Sequence, residues 1–145
     1  MVRVGAQWCA APVSEVREIV KLPPVTEVPG AGVGVRGVVL IHGAVLTLLD
    51  PRPLLHEADD GVDDHARALT VDHEGERLAL RVDEVARIML IAHTAVELAH
   101  ELPYAAGAHV VGVARAVAPS ADGFVVILDV GALVRAVLGE SERFS

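Results

Sequence analysis

The residues able to do chemistry are few, and their spacing does not favour it. Seven histidines are scattered through 145 residues. None pairs in H-E-x-x-H or H-x-H spacing, which would put two imidazoles on one metal. The one cysteine, Cys9, follows Trp8 in an apolar stretch, with no neighbouring base to make a thiolate. Alone it forms neither an internal disulfide nor a multi-cysteine zinc site. Ser14, Ser120, Ser141 and Ser145 are the only serines, and none stands in G-x-S-x-G, the turn that exposes a hydrolase nucleophile. Gly32-Val33-Gly34-Val35-Arg36-Gly37 is literally G-x-G-x-x-G. A dinucleotide loop must open a helix, whereas here the β-branched run Val38–Leu49 follows, so the glycines read as a tight turn. The densest set of potential ligands, His56 to His65, holds five acids and two imidazoles. It lacks the alternating acids and distal Glu of a calcium loop, and its like-charge density reads as a solvated loop. These residues point to no catalytic residue, no metal and no cofactor, and so to an interaction module rather than an enzyme.

Composition narrows the class further. Twelve Lys and Arg against twenty Asp and Glu give a net charge of -8, which argues against nucleic acid, where clustered cations must meet phosphate. The longest uncharged stretches, Gly37–Leu49 and Leu102–Ala114, hold 13 residues each, short of the roughly 18 that span a bilayer. Arg3 is followed by Gln7 and Trp8 rather than an apolar run, against a signal peptide. A hydrophobic fraction of 52% excludes disorder. The expectation is a cytoplasmic protein with no direct membrane insertion.

What would position any site is a chain that repeats itself. Val35-Arg36-Gly37-Val38 returns as Val110-Val111-Gly112-Val113, 75 residues on. Each is followed by an apolar run ending in an acid, Val45–Asp50 and Val125–Asp129. Val13–Ile19 pairs with Val82–Ile88 at a shift of 69, so the loops differ in length. Short Val, Ile and Leu runs broken by Gly and Pro predict strands with frequent turns. Asp50 and Asp129 at equivalent places suggest a shared strand-end turn or cap. A single helical turn at Ser14–Glu15 precedes a strand, and one convincing helix covers Gly131–Leu138 with Gly139 able to cap it. The predicted organisation is all-β: one domain over 1–145, with a barrel at about 1–55, an acidic loop at 56–67, a second barrel at about 68–134 and a C-terminal helix and tail at 131–145.

The ordered series of motifs resembles the CheW-like coupling family of bacterial chemosensory arrays. Ala11–Val20 is similar to the family's A-L-P-x-x-x-V-x-E-I-L, and Val25–Gly30 to I-x-x-V-P-G. Val35–Gly43 resembles V-x-G-V-I-N-L-R-G, Val45–Arg52 resembles V-x-P-V-x-D-L-R, and Leu80–Val85 resembles G-L-x-V-D-x-V. The resemblance implies two five-stranded barrels about a pseudo-twofold axis and a non-catalytic scaffold. Its partners would be a CheA-type histidine kinase, the cytoplasmic tip of a methyl-accepting chemoreceptor, and other CheW-like domains. By motif position, Val16 and Glu18 fall on the receptor side, and Ile19 is a further candidate partner contact. Arg36, Gly37, His42 and Gly43 lie in the turn most associated with partners, and Arg52 ends the D-L-R segment. His42 stands where the family has Arg, and Pro51 where it has Leu. A divergent module with other partners in a related signalling pathway, or a small ligand-binding barrel, are the alternatives.

Overall fold

The structure is a computed structural model, describing residues 1–55, 57, 64–88, 90–91, 95–98, 109–115 and 124–143. Most of the acidic loop, His56 and residues 58–63, lies outside the described residues.

The described strands are β1 (Val2–Val4), β2 (Gln7–Ala10), β3 (Glu18–Lys21), β4 (Val35–Ile41), β5 (Ala44–Leu49), β6 (Arg67–His73), β7 (Glu76–Val82), β8 (Glu84–Val85), β9 (Val96–Leu98), β10 (Val110–Arg115) and β11 (Phe124–Leu128). A 3-10 turn, Val13–Glu15, precedes β3, and helix α1 (Val130–Arg143) follows β11. The fold is therefore nearly all-β with one short C-terminal helix, as expected. The helix runs past Gly139 rather than ending there.

Two sheets result. One has five strands in the order β3-β6-β7-β5-β4, the other six in the order β8-β1-β2-β11-β10-β9. The five-stranded sheet rolls until its ends meet. Thr26, just past β3, exchanges two main-chain hydrogen bonds with Val38 of β4, at 3.0 and 2.9 Å. In the other sheet the end strands β8 and β9 are consecutive in the chain.

The repeat in the sequence is a repeat in the structure. Both hairpins, β4–β5 and β10–β11, carry a bulge, between Val35 and Gly37 and between Val110 and Gly112. The extra residue, Arg36 or Val111, is left unopposed, which bends the strand. Beyond each hairpin the chain is tied back identically. Asp50 N donates to Gly34 O and Asp129 N to His109 O, both at 2.8 Å. Asp129 Oδ1 then caps α1 by accepting from Ala132 N at 3.0 Å, and Asp50 Oδ1 accepts from Arg52 N at 3.0 Å.

The expected division at residue 55 is not a division in space. β5 pairs in parallel with β7 through Leu48↔Ala79 and Leu49↔Leu80. β2 pairs in parallel with β11 through Cys9↔Val126 and Ala10↔Ile127. One lobe thus uses residues 18–49 and 67–82, the other residues 2–10 and 84–128. The correction has a physical reason: period-2 patterning sets which face a strand buries, not which distant strand it pairs with.

The core follows from that exchange. Leu78, Leu80 and Val82 point from β7 into a cluster shared with Val2, Val4, Cys9, Leu128 and the α1 residues Leu133, Val134 and Val137. Ala79, between them, points into the closed five-stranded lobe with Val39, Ile41, Leu46 and Leu48. β7 is covered on both faces, and the second carries Ala79 together with the buried Arg81, which is paired with Asp83. Cys9 is fully buried, and burial first, then the charge of Glu57, pushes its thiol up to about 12. It is a core residue and inert as a nucleophile.

This exchange predicts the behaviour of a fragment. Residues 1–55 alone leave β2 without β11, and β3 and β5 without β6 and β7. They also fall in the size range where a core is marginal. The fragment should show no cooperative thermal transition by circular dichroism. A melt near that of the full chain would contradict the arrangement.

Candidate partner-binding site

Between the two lobes lies an open apolar groove of about 300 Å³. Its floor and walls include Val13, Val16, Ile19, Leu69, Val85 and Ile88, with Arg17, Glu18 and Arg87 at the rim. The crossover from β2 to β3, residues 11–17, forms one wall. Pro12 opens it, and the 3-10 turn closes through Glu15 N to Pro12 O at 3.0 Å and Val16 N to Val13 O at 3.2 Å. The strand β3 then begins when Arg17 N reaches Thr70 O at 2.8 Å. Val16 is half-buried and packs on the shared core. Ile19 is 47% exposed, Val13 62% and Ile88 76%, so the groove is lined by apolar side chains that remain in water.

The expected partner residues separate into three places. Val16, Glu18 and Ile19 come together along this groove. His42 and Gly43 form the tip of the β4–β5 hairpin, both with positive φ, 49° and 80°. Such angles at both central residues make the two-residue turn that matches strand twist. The His42 ring does not point away from the protein: its Nε2 lies 2.5 Å from Glu18 Oε1. β3 and β4 stand at opposite ends of the sheet order, so this pair bridges the closure of the lobe and joins the hairpin tip to the groove rim.

Arg36, Gly37 and Arg52 lie elsewhere. Gly37 is buried in the bulge, where a Cβ would meet Thr26 O at 2.1 Å. Arg36 is the bulged residue, and its Nε sits 3.8 Å from Asp50 Oδ2. Arg52, expected among the partner residues, is 1% exposed and presents nothing to a partner. Its fork grips Asp50 in a bidentate contact, Nε to Oδ1 at 3.0 Å and Nη2 to Oδ2 at 2.9 Å. Its Nη1 lies 3.7 Å from Asp83 Oδ1. Asp83 in turn accepts from Arg81 Nη1 at 2.8 Å and from Gly5 N at 2.6 Å. Burial by itself would raise the Asp83 carboxyl, but the Gly5 amide, Arg81 and Arg52 outweigh it and hold it below the ordinary carboxylate value. This ladder ties the β1–β2 turn of one lobe to β5 and β7 of the other.

Among the described residues no three His, Cys, Asp or Glu side chains stand together as a metal site. Among the same residues no helix is long and apolar enough to cross a membrane. What the site can do is hold an apolar surface of another molecule, with charges at the rim to orient it.

The comparisons agree with that shape. The structure is similar to the scaffolding protein TtCheW of Thermoanaerobacter tengcongensis, with a TM-score of 0.75 over 91% of this chain and 88% of that one. At 20% identity that likeness speaks for the fold. A CheW-like domain model matches residues 1–138. The chain belongs to the CheW-like domain family. It is also 32% identical over 83 residues to Protein PilI of Pseudomonas aeruginosa, a stretch covering 57% of this chain and 47% of that protein.

Proposed function

We propose that the chain is a non-catalytic adaptor of a bacterial chemosensory system, working in the cytoplasm to couple a chemoreceptor tip to a CheA-type histidine kinase. The observation that carries this reading is the open groove between the lobes, with Val13, Ile19 and Ile88 in water along it. Exposed apolar side chains gathered in one cleft are a docking surface more often than an accident, and a helical hairpin with an apolar stripe suits a groove of this kind. The five-stranded lobe, closed through Thr26 and Val38, leaves its open end for contact with a CheW-like domain of the kinase.

A second reading is favoured by one observation. The position where the family carries Arg holds His42, and its imidazole already faces Glu18 of its own chain. A module with altered partners in a related signalling pathway would be built in this way. A small ligand-binding barrel has no comparable support.

Ile19→Asp separates these readings from a structural role for the groove. Ile19 is exposed and outside the core cluster, so the variant should melt with the wild type. Its affinity for the receptor-tip hairpin should fall by about thirtyfold, as when a central apolar contact of about 2 kcal/mol is lost. Isothermal titration measures the affinity, and affinity unchanged by the substitution would remove the groove from the contact. Affinity capture from the native cytoplasm, with wild type and Ile19→Asp side by side, identifies the partner. Recovery of a receptor and a histidine kinase by the wild type alone supports the coupling role.

A further inference from the structure

We propose that Glu15 is a positioning residue that sets the groove wall by fastening it to the N-terminus of α1, an inference resting on the groove reading above. The wall has little else to hold it. Within residues 11–17 the main-chain bonds from Glu15 N and Val16 N are internal to the turn, and among the described residues only Arg17 N reaches another element, at Thr70 O. Ala11 and Val16 pack on the core, whereas Val13 stands out from it. The side chain of Glu15 crosses 115 positions of sequence to accept a hydrogen bond from Val130 N at 3.0 Å.

Val130 is the first residue of α1, and its amide is one of the donors that a helix leaves unsatisfied. Asp129 already takes the Ala132 amide, so Glu15 adds a second carboxylate to the cap where the helix dipole favours negative charge. The same bond fixes the turn that carries Val13 and Val16. Helix seat and groove wall are thereby one contact. Anything that settles the wall should also protect the Val130 amide, because coupling between two sites is reciprocal.

The test uses the full-length chain as wild type, Glu15→Ala and Glu15→Gln. The probe is a disulfide-linked two-helix peptide from a chemoreceptor cytoplasmic tip. Glu15→Ala should bind it about tenfold more weakly, corresponding to loss of one cap. Glu15→Gln keeps an acceptor and should stay within about twofold of wild type. In the free protein, amide exchange by NMR should speed up at Val16, Arg17 and Val130 in Glu15→Ala, and at none of them in Glu15→Gln. Faster exchange at Val130 alone overturns the proposal, since Glu15 would then cap the helix without holding the wall. Equal loss of affinity in both variants also overturns it, because the carboxylate would then be touching the peptide directly. If the wild type fails to bind the peptide, the groove reading falls, while exchange at Val16 and Arg17 still decides whether Glu15 holds the wall.

Discussion

Arg52→Met should lower the melting temperature by about 10 °C in scanning calorimetry at neutral pH. The substitution removes the cation shared by Asp50 and Asp83, both buried. Deleting one partner of a buried ion pair costs about 3–5 kcal/mol; Asp83 keeps Arg81, while the buried Asp50 loses its bidentate partner and is left to the more distant Arg36, 3.8 Å away. For a chain of this length each kcal/mol moves the melting point by roughly 2–4 °C. Arg52→Lys keeps the charge but loses the bidentate fork and should fall between wild type and Arg52→Met. A shift below about 3 °C for Arg52→Met would mean that water reaches the two carboxylates. The same ladder sets an acid limit. Asp83 is held below its ordinary value in the folded state, so its unfolded form binds protons more readily. Its contribution is full above the ordinary value of 3.8 and is lost as pH falls through the lower, folded one. Wild-type stability should therefore decline below about pH 4, and in Arg52→Met the decline should begin at higher pH.

The second large effect belongs to Gly37. Its φ is +144°, and a Cβ there would lie 2.1 Å from Thr26 O. That oxygen cannot step aside without breaking its bond from Val38 N, one of the two that close the five-stranded lobe. Backbone strain and the clash together should make Gly37→Ala cost about 3 kcal/mol. Gly112→Ala meets Glu97 O at 2.2 Å without the positive φ, and should cost somewhat less. Gly43→Ala is the control. Nothing lies within 4 Å of its Cβ, so only its φ of +80° is at stake, worth about 1 kcal/mol. Urea titration of the three variants should return that order. A Gly37→Ala value no larger than that of Gly43→Ala would show that the Thr26 crossing yields.

These residues also mark where sequence and structure part company. The local features were legible. Gly37 and Gly112 stand at matching places in two motifs, and each lies at a bulge pressed against the main chain of the neighbouring antiparallel segment. Asp50 and Asp129 matched as well, and each accepts an amide at the end of its strand. The turn at Ser14–Glu15 followed by a strand is also as read, because Pro12, Pro23 and Pro24 confine the helical spacing to one turn. The non-local features were hidden. Nothing in Gln7–Ala10 announces that it will lie beside Phe124–Leu128, since a parallel partner lies far off in the chain by necessity. Motif position puts Arg52 among the expected partner residues, yet it is buried in an ion-pair ladder, as arginine is only when paired. Its partners were visible only as Asp50 two residues before it and Asp83 two residues after Arg81. The pairing of His42 with Glu18 was hidden for the same reason: it depends on the two ends of a sheet coming together. The groove was legible in part, through Val16, Glu18 and Ile19. Its far wall, from Val85 and Ile88, and the anchor at Glu15 required the fold.

The parallel pairing of β2 with β11 has a consequence for how the chain reaches this state. Contacts between residues near 9 and residues near 126 give a topology of high contact order, and such chains fold in milliseconds to seconds rather than microseconds. During synthesis the five-stranded lobe can close as soon as β7 has emerged, since all five strands precede residue 83. The other lobe must wait with β1 and β2 already made and the apolar face of β7 uncovered until β11 and α1 leave the ribosome. At about 5–20 residues per second that wait lasts several seconds, during which an unpaired strand edge is open to aggregation. Truncations that stop short of Leu128 should therefore yield a chain with one finished lobe and an exposed sticky face, and chaperone demand in the cell should rise with every residue removed from β11.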